Sequence, residues 1–355
     1  MPYYPGDVQV NVNVGLEKAR KEGTRYMIDI YAHILPLKYK NALDRKARND
    51  YYLRGVDDAV PTLWDLNKWF GIIDKFEGLK QVLTLASPPI ESVVGDKESI
   101  DLAKLANDEL AELVAKYPQR FVGAVACLPM NDMDAALKEL DRAITQLKFK
   151  GAQIYTPTND KAIDQKEFLP LYEKMSQYDL PIWIHPQRNR SFSDYRSENH
   201  SKYWIFSMFG WPYETTAAMT RLVFSGVMEK YPNLKIITHH CGGMLPYFAD
   251  RMAGGQDFAD VCLAAKFKKH LNKPPIEYFR KFYGDTALYG APDSLMCGYA
   301  FFGPEHLLFG TDMPYDCECG GRYLLLTIEA INKMSIPEDH RKMIFETNAK
   351  RLLRL

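Results

Sequence analysis

Four of the eight histidines, with carboxylates and one tyrosine, fall at the ends of short apolar runs, where ligands for a metal can be gathered. The first run closes on Asp29-Ile30-Tyr31-Ala32-His33. Side chains alternate along a strand, so Asp29, Tyr31 and His33 are expected on one face. His185 closes Trp183-Ile184-His185, His239 and His240 close Ile236-Ile237-Thr238-His239-His240, and Asp312 follows Leu308-Phe309-Gly310-Thr311. Imidazole and carboxylate are the usual oxygen and nitrogen donors to Zn, Mn and Fe. Tyr31 is the odd member. A phenolate is a hard donor that suits Fe(III) or Mn better than zinc, and the other reading of Tyr31 is a purely structural aromatic.

The elements that would bring these positions together are legible from the pattern. Strands are expected at 25–31, 80–86, 121–127, 150–155, 180–185, 234–240, 282–288 and 306–311, with helix-period segments between them. Two of those segments run 99–116 and 133–147, with Ser99 and Asp132 as N-caps. Eight strands each followed by a helix predict an α/β fold, a (β/α)8 TIM barrel, whose strand C-termini share one rim. Two stretches, 34–62 and 187–214, look inserted at that rim, where barrel enzymes place substrate loops. The domain reading is an N-terminal extension over 1–24 and one barrel over 25–355.

Composition narrows the class. The 355 residues are 46% hydrophobic and 25% charged with a formal net charge of zero, which gives no broad electrostatic case for nucleic acid or membrane partners. The apolar run 121–127 is too short to span a bilayer, and the first residues do not read as a secretion signal. Six cysteines, one pair spaced Cys317-Glu318-Cys319, form neither a disulfide framework nor a zinc-finger spacing, so reduced thiols and a cytoplasmic location are expected.

At this point the ordered motifs resemble the amidohydrolase superfamily. The similar branch is the one containing aminocarboxymuconate-semialdehyde decarboxylase and related aromatic-acid decarboxylases. Asp29-Ile30-Tyr31-Ala32-His33-Ile34-Leu35-Pro36 matches its opening motif except at Tyr31, where the branch carries a histidine ligand. Ile184-His185-Pro186, His240-Cys241-Gly242-Gly243, Gly310-Thr311-Asp312-Met313-Pro314 and the closing Asn348-Ala349-Lys350-Arg351-Leu352 follow in order. The segment Phe209-Gly210-Trp211-Pro212-Tyr213-Glu214 resembles it too. The resemblance implies His33, His185 and Asp312 as metal ligands, with His240 as an acid/base beside them, so His240 and Asp312 are the expected catalytic pair. It implies one or two ions (Zn, Mn or Fe) and no organic cofactor. The strand over 150–155 carries Lys150 only at its start, so a bridging carbamylated lysine is not expected.

Three functional readings follow. The first is a metal-dependent decarboxylase or hydrolase acting on a small carboxylated substrate, aromatic or not. Arg188 and Arg190 would then clamp its carboxylate, with Trp211 among the lining aromatics. The second is a dinuclear non-haem Fe or Fe/Mn oxygenase on the same fold. It would use Asp29, Tyr31, His33, His185, His239, His240 and Asp312 as donors, although a regular strand cannot point both His239 and His240 inward. The third is a metal-binding subunit supporting an active paralogue. An oligomer of this chain with itself or a related barrel is expected under each.

Overall fold

Each apolar run finds its hydrogen-bonding partner in the next. In the computed structural model, which describes residues 26–47 and 54–355, the runs form nine strands. They are β1 (Met27–Ile34), β2 (Leu79–Leu85), β3 (Phe121–Ala124), β4 (Ala126–Cys127), β5 (Ala152–Thr156), β6 (Pro181–Pro186), β7 (Lys235–Thr238), β8 (Tyr283–Asp285) and β9 (Leu307–Leu308). Neighbours are parallel throughout, in one sheet of β1 to β3 and another of β4 to β9, both in chain order.

The expected strand 121–127 is the one divided between the sheets. Val125 N–H still donates to Leu83 O at 3.0 Å, whereas Ala126 N–H turns to Gly151 O at 2.9 Å. The far edges also meet, Ile30 N–H donating to Phe309 O at 2.9 Å and His33 N–H to Met313 O at 2.8 Å. The two sheets therefore close into the expected eightfold barrel. The N-terminal extension assigned to 1–24 lies outside the described residues.

The longer helices are α1 (Leu37–Lys46), α2 (Leu66–Ile73), α3 (Asp96–Lys116), α4 (Met133–Thr145), α5 (Leu169–Tyr178), α6 (Gly210–Phe224), α7 (Leu245–Cys262), α8 (Pro292–Phe302) and α9 (Gly321–Lys333). Asp132 caps α4 as expected, accepting Ala135 N–H at 2.9 Å. Ser99 does not cap α3. That helix starts earlier, after Gly95, with Asp96 and Glu98 favourably placed in its first turn, and the Ser99 hydroxyl donates back to Asp96 O at 2.7 Å. In the 34–62 insertion, α1 begins after Pro36, which offers no capping side chain. Glu109 of α3 supplies the cap instead, accepting Lys38 N–H at 2.9 Å and Tyr39 N–H at 2.8 Å. No helix among the described residues is long and apolar enough to cross a membrane.

Parallel strands bury both faces, and two apolar layers result. Leu79, Leu83, Phe121, Ile182, Ile184 and Ile236 pack outward with helix residues such as Leu110, Leu140 and Leu222. Ile28, Ile30, Val82, Trp183, Ile237 and Leu308 pack inside the barrel. Trp183 is fully buried there and its indole N–H donates to Ile30 O at 3.1 Å, forming a floor beneath the rim.

Strand β1 carries the departure that matters most for the site. Asp29 pairs with Gln81 but Ala32 with Leu83, so three steps on β1 oppose two on β2. This is a β-bulge, and one extra residue reverses the alternation beyond it. Ile30 and Tyr31 both join the inner layer. Asp29 is left among outward-facing groups, bonded to Gln81, whose Oε1 accepts the indole N–H of Trp69 on α2.

Candidate metal centre

The sequence places His239 and His240 side by side, and the backbone decides where each points. Strand β7 ends at Thr238, and His239 is still extended (φ −78, ψ 159). The chain then bends through His240 and Cys241, both at φ 53, a left-handed conformation costing roughly 1–2 kcal/mol per residue. That bend brings the two rings to the same side, with centroids 3.9 Å apart. Asp285, at the end of β8, braces the bend: its Oδ1 accepts Cys241 N–H at 2.9 Å and Ala287 N–H at 3.1 Å.

Three imidazoles then present the same nitrogen inward. Pro186 O, which can only accept, lies 2.7 Å from His185 Nδ1. Thr84 Oγ1 donates to Ala32 O at 3.3 Å and so accepts from His33 Nδ1 at 3.1 Å. Asp285 Oδ2 is hydrogen-bonded to His239 Nδ1. With every Nδ1 engaged, the Nε2 atoms are left for a shared ligand, and ligand atoms of His33, His185 and His239 lie within 4.8 Å of one another. Asp312, held at φ 61, extends Oδ1 to 3.2 Å from His33 Nε2 and 3.3 Å from His239 Nε2. Its Oδ2 lies 3.8 Å from His240 Nε2 and accepts the Tyr289 hydroxyl at 2.7 Å.

Burial sets the electrostatics. His33, His185, His239, His240 and Asp312 are all buried. Burial opposes ionisation of Asp312, but the charge of His239 and the close approach of the His239, His240 and His33 rings hold its carboxyl well below the usual range. Burial also lowers His33, His185 and His240, favouring neutral imidazoles with lone pairs to offer. His239 is the exception: burial works against its protonation, yet Asp285 and Asp312 raise it to about 9. Buried Nε2 atoms of His33 and His239 have no hydrogen-bond partner, and they face an ionised carboxylate. A divalent cation fits this donor set, because it would satisfy the orphaned nitrogens and the carboxylate together.

Other sequence candidates are placed less centrally. Asp29 is a correction to the ligand set. Its carboxylate accepts Tyr31 N–H at 3.1 Å, Thr311 N–H at 3.1 Å, Thr311 Oγ1 at 2.7 Å and Gln81 Nε2 at 3.2 Å, on the far side of the bulge. Burial pushes it up to about 6 against those bonds. Tyr31 enters the cluster with its ring stacked on His239 at 4.0 Å, but its buried hydroxyl has no hydrogen-bond partner. Burial, followed by the charges of Asp285 and Asp312 and by Tyr155, keeps that phenol protonated.

Trp211 lies against the rim, 5.6 Å from His185 and 6.4 Å from His240 between centroids. Arg188 is paired with Glu214 at 2.6 Å, and Arg190 is exposed; the structure does not bring Arg190 to the cluster. Of the other insertion aromatics, Tyr203, Trp204 and Phe209 are exposed, whereas Phe206 is buried. Lys150 reaches Arg354 O, so its amine is not at the rim. Sequence reasoning missed Asp285, Thr84 and Tyr289. For Asp285 the signal was present, since it ends an apolar run just as Asp312 does.

The geometry can be set beside known proteins. A family model described as amidohydrolase matches residues 28–355. The chain belongs to the amidohydrolase family. Among its relatives is the γ-resorcylate decarboxylase of Polaromonas sp., 31% identical over 281 residues, covering 77% of this chain and 82% of that one. The 2-amino-3-carboxymuconate-6-semialdehyde decarboxylase of Dictyostelium discoideum is 26% identical over 307 residues, covering 81% of each. The crystal structure of a dihydroxybenzoic acid decarboxylase from Polaromonas sp., with bound manganese and the inhibitor 2-nitroresorcinol, aligns with a TM-score of 0.77 at 26% identity, covering 93% of this chain and 97% of that one. This amidohydrolase is therefore a metal-dependent lyase of the decarboxylase branch its motifs resemble. The relatives named here lend no support to the oxygenase alternative.

Proposed function

We propose that this amidohydrolase removes CO2, without redox chemistry, from a small aromatic carboxylic acid. The observation that carries the reading is that His33 and His185 gather with His239, which gathers in turn with His240 and Asp312, while Asp312 Oδ1 lies 3.2 Å from His33 Nε2 and Asp312 Oδ2 lies 3.8 Å from His240 Nε2. A divalent ion bound there would supply Lewis-acid charge to the substrate's oxygens. Manganese, present in the Polaromonas structure, is the ion to load first.

The protein's own residues do the rest. The bond from the ring carbon to the carboxylate breaks, CO2 leaves, and the bonding electron pair stays on the carbon, which must gain one proton. His240 and Asp312 hold and pass that proton between Nε2 and Oδ2, next to the reacting carbon. Trp211, edge-on to His185 and closer to parallel with His240, makes the wall for a planar ring and narrows the access of water. Exposed Tyr203, Trp204, Phe209 and Tyr213 support assembly with another copy or a related barrel, which light scattering tests. All six cysteines are free thiols, which supports a cytoplasmic location.

The test is turnover of the manganese-loaded protein with γ-resorcylate and other hydroxybenzoates in D2O, under air and under argon. The expected result is one CO2 per product, one deuterium at the vacated carbon, and equal rates in both atmospheres. Oxygen consumption, or no CO2 from any carboxylated aromatic, overturns the reading.

A further inference from the structure

The family motif expects a ligand at position 31, and this chain has a phenol there whose hydroxyl has no partner among the cluster's nitrogens and carboxylate oxygens. A site that had simply lost a ligand would leave a gap opposite His33. Here the gap is filled from another strand. His239 Nε2 lies 3.3 Å from Asp312 Oδ1, nearly the 3.2 Å that separates His33 Nε2 from the same oxygen. Both nitrogens are buried and neither has a hydrogen-bond partner. Atoms bonded to one ion at about 2.0–2.2 Å are necessarily this close to one another.

We propose that His239 is a metal ligand in place of the side chain at position 31, giving the set His33, His185, His239 and Asp312, with Asp285 as the residue that positions it. Three features of the chain support the exchange. The left-handed turn at His240 and Cys241 lets His239 point inward without displacing His240. Asp285 engages His239 Nδ1 and braces the same turn through Cys241 N–H, so one carboxylate fixes both the ring and its backbone. A carboxylate on the far nitrogen of a ligating imidazole sets its tautomer and raises its basicity. Tyr31 then has a different duty. Its ring stacks on His239 at 4.0 Å and 21°, packing the back of the imidazole instead of binding the ion.

The inference rests on the proposed function only in requiring a bound divalent ion, and its readout is binding and spectroscopy. Protein stripped of metal and reloaded with one equivalent of Mn(II) is studied by pulsed EPR, counting coupled imidazole nitrogens. Three in the wild type, falling to two in His239→Gln, is the expected result. Two in the wild type overturns the assignment, and that count stands even if the variant fails to fold. Manganese affinity gives the second arm: Asp285→Asn weakens it about 10–100-fold, as loss of such a supporting carboxylate does, whereas Tyr31→Phe leaves it unchanged. Loss of manganese binding in Tyr31→Phe with unaltered binding in His239→Gln would make the phenol the ligand and sink the proposal. CO2 release measured on the same samples separates the two claims. Turnover with only two coupled nitrogens defeats the ligand assignment alone, and three nitrogens without turnover defeats the reaction alone.

Discussion

His33 Nε2 lies 3.2 Å from Asp312 Oδ1, across the seam where the first strand meets the last. The same seam carries His33 N–H to Met313 O at 2.8 Å, so the bond that closes the barrel also sets the spacing of the metal centre. Asp312→Asn keeps the shape of the side chain and removes its charge. Metal content should fall and CO2 release should drop below about 1% of wild type, with the thermal melt showing an intact fold. Wild-type metal content in that variant would contradict the role given to Asp312.

His240 is assigned to proton movement and not to the ion. His240→Asn should lower kcat by about 10²–10⁴-fold while leaving bound metal unchanged. Metal analysis beside steady-state kinetics separates this from ligand loss.

The hydroxyl of Thr84 orients His33 by accepting from its Nδ1 at 3.1 Å. Thr84→Val is close in shape and removes that acceptor. Metal affinity, read by titration calorimetry, should weaken about tenfold or more.

Glu91, in the short helix Ile90–Val93 that follows β2, gives a pH dependence of stability. Its carboxyl is buried, Oε1 has no partner, and burial pushes it from 4.5 up to about 7. Above pH 4.5 the unfolded chain releases this proton while the folded protein keeps it, so the contribution to stability is intact below that pH and is lost as pH rises through about 7. The full loss is about 3 kcal/mol. Glu91→Gln should therefore be more stable than wild type at pH 8 in urea unfolding, with the difference closing towards pH 4. Equal pH profiles would contradict it.

Trp183 is fully buried on the axis, and Trp183→Ala should cost about 3–5 kcal/mol in denaturant unfolding through the cavity it leaves.

Much of this was readable in the residues, and the failures have definite causes. The barrel followed from alternating runs and helices, and His33, His185, His240 and Asp312 from their places at strand ends. Period-two alternation put Asp29 beside Tyr31 and His33, but it holds only for a regular ladder, and the bulge between Asp29 and Ala32 reverses it. The same rule set His239 against His240, and left-handed residues after Thr238 overrode it. Neither departure changes composition or hydrophobicity, so no periodicity carries it. Thr84 and Tyr289 act through single hydrogen bonds between residues far apart in the sequence, which only the folded chain brings together.

The central claim is a metal-dependent decarboxylation at the cluster of His33, His185 and Asp312. It is tested most directly by titrating metal-free protein with Mn(II) while recording CO2 release from the hydroxybenzoate turned over fastest. The account predicts no release without metal, a rise that saturates at stoichiometric binding, and no rise in His185→Ala. Release from the metal-free protein, or metal-dependent release that survives His185→Ala, would contradict it.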